Sequence, residues 1–168
     1  METNKFIGII DWDLNNTPAD RILVLGENDR YAIENYLLDP LLLGLLTIRE
    51  NKIPITDFTG LSITAYSQAI NLTQADVQII IDKILNDLGL QSSNKAKYKT
   101  FNGWELETTI EFNQHQGHDL ETLYKSKFPF LNAYQREDAL KKDIIEKVIN
   151  DHPYFAPIEL SETILKIK

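Results

Sequence analysis

The chain has 168 residues, a net charge of −8 and no cysteine, and its length suits a single domain. The absence of cysteine excludes disulfides, thiolate metal sites and thiol catalysis, and it favours a reducing, cytoplasmic location. The acidic balance argues against a broad nucleic-acid surface, because phosphate binding depends on lysine and arginine side chains.

The first predicted element is a buried strand at residues 5–10, and Asp11-Trp12-Asp13 follows it directly. Residues i and i+2 of an extended chain point the same way, so the two carboxylates should leave the strand side by side. Carboxylates this close repel each other unless a cation or hydrogen-bond donors lie between them, and Mg²⁺ needs only one or two protein carboxylates. We therefore predict that Asp11 and Asp13 bind a divalent cation. The alternative is that they cap turns or pair with Arg21.

A second buried strand is predicted at residues 21–25, and a helix from Arg30 to Leu38 follows it. Glu34 lies in the middle of that helix among apolar neighbours, which favours its partial burial. We expect Glu34 either to supply a third carboxylate to the same cation or to orient the aspartates from a second layer. The alternative is an ion pair between Arg30 and Glu34 within the helix, because residues four apart share a helical face.

Asp39-Pro40 is predicted to begin the next helix, with Asp39 as the N-cap and proline at the first helical position. The leucines from Leu41 to Leu46 cover most sides of this helix, so we expect it to be buried on several faces. The same run is far shorter than the roughly 20 apolar residues that span a bilayer, and we expect no membrane association. Two strands followed by helices indicate an α/β layer.

The middle of the chain carries signals for a helix and a hairpin. A helix should begin at residues 73–76, and Gly89 should end it. Residues 97–101 and 104–110 are predicted to pair as a hairpin, joined by Asn102-Gly103 in a type I′ turn.

Two groups of side chains near the hairpin each have more than one interpretation. Lys95, Lys97 and Lys99 share one strand face, which is either a solvated surface or a local contact for phosphate. His115 and His118 lack the spacing of a zinc motif, so we expect hydrogen-bonded loop histidines.

The C-terminal part of the chain is predicted to be mainly helical. A short helix should end near Lys127, and a corner at residues 128–131 should follow it. A longer helix from Glu137 to Asn150 should bury an apolar side made up of Leu140, Ile144, Ile145, Val148 and Ile149. A last short helix should begin near Glu159.

These elements predict a single α/β domain over residues 1–168, with a short mixed sheet flanked by helices and a β-hairpin appendage. Residues 1–90 would form the core that carries the Asp-x-Asp motif, and residues 91–168 would form the hairpin and a helical extension. The sequence has no glycine-rich nucleotide-binding loop and no nucleophile elbow, so neither a nucleotide cradle nor a serine hydrolase site is predicted.

Three stretches of the sequence, at residues 6–13, 24–27 and 30–40, together look like a known family. They resemble the TOPRIM-type C-terminal region of OLD-like (overcoming lysogenization defect) ATPase–nucleases and related bacterial AAA-type ATPases. The most distinctive part is Arg-Tyr-Ala-Ile-Glu-Asn-Tyr, which begins at Arg30. The hairpin, the Gln-Gly-His turn that begins at Gln116 and the Phe-Pro-Phe-Leu corner are similar to the tail of the same proteins.

The resemblance implies a TOPRIM-like core, Mg²⁺ or Mn²⁺ held by acidic residues, and phosphodiester chemistry on nucleic acid. Asp11 and Asp13 match the family's Asp-x-Asp metal ligands, and Glu34 matches the acidic position of its following helix. TOPRIM folds also carry a glutamate after an earlier strand. Only ten residues precede Asp11 here, so we expect the module to be incomplete for catalysis on its own.

Two functions follow from these expectations. The first is a divalent-metal-binding module of a nucleic-acid-processing system, in which Asp11, Asp13 and Glu34 form the catalytic and metal site. The second is a non-catalytic interaction module that docks an ATPase subunit or forms a homodimer.

Overall fold

The computed structural model describes residues 7–136 and 138–165. The described strands, in chain order, are β1 (Gly8–Asp11), β2 (Ile22–Leu25), β3 (Lys95–Lys99) and β4 (Glu105–Thr109). The described α-helices are α1 (Ile33–Leu37), α2 (Pro40–Arg49), α3 (Gln74–Leu88), α4 (Ile110–Asn113), α5 (Gly117–Lys127), α6 (Ala139–Ile144) and α7 (Glu159–Leu165). Short 3₁₀ segments lie at Ile55–Asp57, Tyr66–Asn71, Pro129–Ala133 and Pro153–Phe155, and a π-helical segment lies at Ile145–Ile149. This mixture of helices and strands confirms the predicted α/β class.

The described strands form two separate two-stranded sheets rather than one mixed sheet. β1 and β2 are parallel, with Asp11 opposite Leu25 at the end of the pair. β3 and β4 are antiparallel and form the predicted hairpin. The hairpin is more than an appendage, because Tyr98 from β3 and Leu106 from β4 are buried in the main core.

The prediction that β1 is a buried strand is wrong. Ile9 and Ile10 are 42% and 39% exposed, whereas Val24 and Leu25 of β2 are buried. Helix α7 packs against β2, while β1 has a neighbouring strand on only one side within the described residues. The apolar sequence therefore predicts the strand correctly but does not predict whether the strand is buried. Residues 5 and 6 of the predicted strand lie outside the described residues.

The centre of the core is the contact between α2 and α3. The residues of α2 as far as Ile48 are all buried, as the leucine-rich sequence predicts. The Asp39 carboxylate caps α2 by accepting a hydrogen bond from the Leu41 N–H at 2.9 Å, so this prediction is confirmed. Gly44 allows the two helices to approach closely, because a Cβ atom at this position would overlap Ile80 Cγ2.

Both ends of α3 follow the predicted signals. Thr73 and Asp76 form a capping box, and Asp76 also accepts hydrogen bonds from the N–H and the hydroxyl of Ser62. Burial alone would raise the pKa of Asp76, but the hydrogen bonds from Thr73 and Ser62 outweigh it and lower the pKa to about 2. Gly89 ends the helix with φ of +75°, a left-handed conformation that favours glycine.

The hairpin turn differs from the predicted type I′ geometry. A type I′ turn needs positive φ at both central residues, but only Gly103 of the Asn-Gly pair has it, at +84°. Thr100 closes the loop instead: its carbonyl accepts from the Gly103 N–H at 2.8 Å, and its N–H donates to the Trp104 carbonyl at 3.0 Å. This is a three-residue loop ending in a left-handed glycine, so the signal located the hairpin but not its turn type.

The lysine row on β3 faces solvent. Lys95, Lys97 and Lys99 are exposed, and the strand register puts Glu107 and Glu105 opposite the last two. The Nζ atom of Lys97 lies 2.8 Å from a carboxylate oxygen of Glu105. Acidic partners therefore balance much of the row, which favours the solvated surface over a phosphate contact.

Two helices begin at positions that differ from the prediction. α1 begins at Ile33, so Arg30 lies before the helix and not in its first turn. α5 begins at Gly117, inside the predicted loop, and ends at Lys127 as predicted. No helix in the described part of the chain has the length and apolar character needed to cross a membrane.

The predicted helix from Glu137 to Asn150 changes its hydrogen-bond pattern along its length. Glu137 lies outside the described residues, and α6 passes directly into the π-helical segment. Within that segment the carbonyl of Lys147 accepts hydrogen bonds from the side chains of Arg49 and Tyr66. Three of the residues predicted on the apolar side are buried: Leu140, Ile144 and Val148. Ile145 was predicted on the same side but is 39% exposed.

Candidate functional site

Asp11 lies at the end of β1 and also fixes the beginning of α1. Its Oδ1 atom accepts a hydrogen bond from the Ile33 N–H at 2.9 Å. Ile33 is the first residue of α1, whose leading N–H groups have no partner within the helix. This single bond brings the half-buried Asp11 carboxylate next to Glu34, the second residue of the helix.

Asp13 belongs to a loop that follows β1 and does not continue the strand. It has φ of +48°, and its N–H donates to the Tyr31 carbonyl at 2.9 Å. Asn16 holds the same loop, since its Nδ2 atom donates to the Asp11 carbonyl at 2.8 Å and lies 3.4 Å from Asp13 Oδ2. The loop, and not strand alternation, therefore sets the relation between the two aspartates.

The electrostatic surroundings of Asp11 are acidic. Burial raises the pKa of the Asp11 carboxyl, and the negative charges of Glu34 and Asp13 raise it further. The hydrogen bond from Ile33 acts in the opposite direction but does not reverse the shift. Arg21 was a possible partner for the aspartates, but its ion pair in the described chain is with Asp20, at 3.9 Å.

Glu34 is oriented by groups that lie far away in the sequence. Its Oε1 atom is 3.5 Å from the Nζ atom of Lys141, which also lies 2.6 Å from Asp138 and 3.9 Å from Glu121. Gly117 leaves the room that Glu34 needs, because a Cβ atom there would lie only 2.9 Å from the Glu34 Cβ. Lys141 and Gly117 therefore fix the position of the Glu34 side chain.

The alternative role for Glu34, an ion pair with Arg30, is not found in the described chain, because Glu34 pairs with Lys141 and Arg30 with Asp39. Arg30 precedes α1 and is fully buried, with its Nη1 atom 2.9 Å from Asp39 Oδ2. The same atom donates a hydrogen bond to the Asn35 carbonyl at 2.6 Å. The guanidinium group lies between two aromatic rings, 4.8 Å from the centre of Tyr36 and 4.6 Å from that of Tyr98.

The buried cluster of Arg30, Asp39, Tyr36 and Tyr98 connects the candidate site to the core. Asn35 extends it, because its Nδ2 atom donates to the carbonyls of Phe112 and His115, each at 3.0 Å. These bonds fix the position of α1, and α1 in turn presents the Ile33 N–H to Asp11. Helical periodicity offers no signal for this cluster, because its members come from three separate parts of the chain.

The donor set fits a hard cation bound by few protein ligands. Among the described residues no three acidic or histidine side chains converge closely enough to surround a metal ion. Asp11 and Asp13 offer oxygen ligands only, and Mg²⁺ commonly binds through one or two carboxylates and keeps several waters. Glu34, paired with Lys141, is close enough to Asp11 for its negative charge to raise the pKa of that carboxyl. His115 bonds locally, with its Nδ1 atom 3.2 Å from the Gln116 carbonyl.

We expect Asp11→Asn to stabilise the metal-free protein at neutral pH, by up to about 4 °C in melting temperature. Because folding raises the pKa of Asp11, the ionised group costs stability above its folded-state pKa. That cost disappears as the pH falls below the ordinary value of 3.8, where both states are protonated. Asparagine stays neutral and can still accept the Ile33 N–H. The measurement is thermal unfolding in EDTA between pH 3 and 8.

The control for this prediction is Asp57→Asn, the same change at an exposed aspartate elsewhere in the chain. Its melting temperature should follow that of the wild type at every pH. A lower melting temperature for Asp11→Asn at pH 7 would show that the ionic hydrogen bond to Ile33 outweighs the repulsion from Glu34 and Asp13.

Comparison with known proteins gives no relative for this arrangement. No family model, no curated protein and no solved structure matches the chain.

Proposed function

We propose that the chain is a divalent-cation-binding, TOPRIM-like module of a nucleic-acid-processing system. In this proposal Asp11 and Asp13 bind Mg²⁺ or Mn²⁺, and Glu34 supports them from the neighbouring helix. The observation that carries the proposal is the position of Asp11 at the end of a parallel strand, where burial, and to a smaller extent the charges of Glu34 and Asp13, raise the pKa of its carboxyl. The ends of parallel strands are where open α/β sheets tend to bind ligands.

The acidic composition argues against a basic surface for nucleic acid, so in this proposal the contact is made through the cation. The chain carries a net charge of −8, and acidic partners balance much of its lysine row. A bound divalent cation would polarise a phosphate and lower the pKa of a coordinated water. Asp11 and Asp13 would hold that cation, while the ion pair with Lys141 fixes the Glu34 side chain. We assign binding to this module and do not assign autonomous cleavage.

The proposal predicts that Mg²⁺ and Mn²⁺ raise the melting temperature of the wild type. A ligand that binds only the native state stabilises it, by about 1.4 kcal/mol for each tenfold increase in concentration above the dissociation constant. Asp11→Asn and Asp13→Asn should abolish the increase, and the exposed control Asp57→Asn should retain it. An equal shift in the Asp11→Asn/Asp13→Asn double variant would contradict the proposal.

A second candidate is a non-catalytic interaction module that docks an ATPase subunit or a second copy of the chain. The observation that favours it is the apolar surface at β1, where Ile9, Ile10, Ile22 and Ile33 are all exposed. Two assays separate the candidates: cation titration, and cleavage of plasmid and single-stranded DNA with Mn²⁺. If the folded protein neither binds the cation nor cleaves DNA, docking is the better explanation.

A further inference from the structure

Among the described residues, no strand pairs with the outer edge of β1, the edge opposite β2. The Gly8 N–H donates to the Arg21 carbonyl at 2.8 Å, so Gly8 and Ile10 direct their main-chain groups toward β2. Alternation along the strand then directs the N–H and carbonyl of Ile9 to the opposite edge. In the described chain no backbone hydrogen bond from a loop or turn reaches the main chain of Ile9.

The side chains at this edge are apolar on both faces. Ile9 and Ile10 are neighbours in a strand, so they point to opposite faces, and both are substantially exposed. Parallel sheets are normally covered on both faces. A cavity of about 370 Å³ opens beside the strand, between Ile9, Ile33 and Leu160. β1 also contains none of the lysines, prolines or bulges that protect edge strands from pairing.

The charge at this edge selects the kind of partner. Asp11, Asp13 and Glu34 lie at its carboxyl end, and Lys141 is already shared between Glu34 and Asp138. The whole chain carries −8, which opposes contact with a second copy of itself. A segment that is apolar along the strand and basic at the end next to Asp11 complements this surface.

We propose that β1 accepts an extended segment of a different protein as an additional strand, with a lysine or arginine of that segment facing Asp11. The inference rests on the docking function and not on cation binding. In strand addition the main-chain hydrogen bonds supply affinity, and the pockets for alternate side chains supply specificity. Here the main chain of Ile9 and the cavity beside Ile33 would have these two roles.

The test is selection of random short peptides on immobilised wild-type protein in EDTA. The enriched peptides should alternate apolar residues and carry a basic residue. Their affinity should fall at least about tenfold in Ile9→Lys, which places a charge at the edge, and in Ile9→Pro, which removes the outward N–H donor. Ile70→Lys is the matched control, because Ile70 is 71% exposed and lies in a different part of the chain.

Each contrary outcome has a distinct meaning. Peptides that bind Ile9→Pro and Ile9→Lys as tightly as the wild type overturn strand addition but leave docking in place. A selection that enriches no peptides, or enriches acidic ones, overturns docking at this edge altogether. Self-association of the wild type in sedimentation that Ile9→Lys abolishes would identify a second copy as the occupant instead. Because EDTA is present throughout, a failure of cation binding does not affect these results.

Discussion

Replacing Arg30 with methionine is expected to lower the free energy of unfolding by about 3–5 kcal/mol. Removing one partner of a buried ion pair leaves the other charge without compensation, and Asp39 is as fully buried as Arg30. The change also removes the cation that lies between the rings of Tyr36 and Tyr98. Urea denaturation followed by circular dichroism measures the loss.

Two further variants test this explanation. Arg21→Met removes an exposed arginine whose ion pair spans 3.9 Å, and it should cost about 1 kcal/mol or less. Arg30→Met/Asp39→Asn should recover part of the loss, because asparagine removes the unpaired charge and can still cap the Leu41 N–H. Arg30→Met with a stability within 1 kcal/mol of the wild type would contradict a structural role for the pair.

Gly44→Ala is expected to destabilise the protein by about 1–3 kcal/mol, although alanine is the better helix former. The added methyl group would overlap Ile80 Cγ2 and lie 3.3 Å from Ile84 Cγ1, where α2 and α3 form the middle of the core. Helix propensity alone predicts the opposite sign, so the direction of the change is decisive. Equilibrium denaturation gives the value.

A second variant, Ile80→Ala, removes the Cγ2 methyl group that the new side chain of Gly44→Ala would overlap. The single change should cost about 2–5 kcal/mol, and the double variant should lose less than the sum of the two single losses. Additive losses, or a stabilising Gly44→Ala, would mean that the close approach of the helices does not depend on this glycine.

The elements that the sequence predicts well are those marked by local chemistry. Asp39-Pro40 and the Thr73–Asp76 box identify helix starts because a cap satisfies N–H groups within a few residues of itself. Gly89 identifies a helix end for the same reason, since only its own φ is involved. Each of these signals acts within one turn, and each is found in the structure at the predicted place.

The features that escaped prediction depend on contacts between distant parts of the chain. The apolar sequence of β1 indicates a strand, but burial requires neighbours on both sides, and Ile9 has β2 on one side only within the described residues. The pairing of Arg30 with Asp39 follows from a helix that starts three residues later than expected. Glu34 and Lys141 are 107 positions apart in the sequence, and no local pattern predicts their contact.

The candidate site shows the same division. Asp11 and Asp13 are close in sequence, so their proximity was predictable, although the positive φ of Asp13 shows that a loop and not a strand brings them together. The resemblance and the place of Glu34 on the following helix predict that it joins the aspartates; the structure shows only that its charge raises the pKa of Asp11. The hydrogen bond from the Ile33 N–H to the Asp11 carboxylate, which positions Asp11 at the start of α1, had no signal in the sequence.

The most direct test of cation binding by Asp11 and Asp13 is nuclear magnetic resonance with substoichiometric Mn²⁺. Paramagnetic broadening falls steeply with distance from the ion, so it locates the bound metal along the chain. We predict that the amide signals of residues 11–16 and of Ile33 and Glu34 broaden first, and that Asp11→Asn/Asp13→Asn removes the effect. Broadening that begins at other carboxylates, such as Glu50 and Asp143, which both pair with Lys147, or that persists in the double variant, would contradict the account.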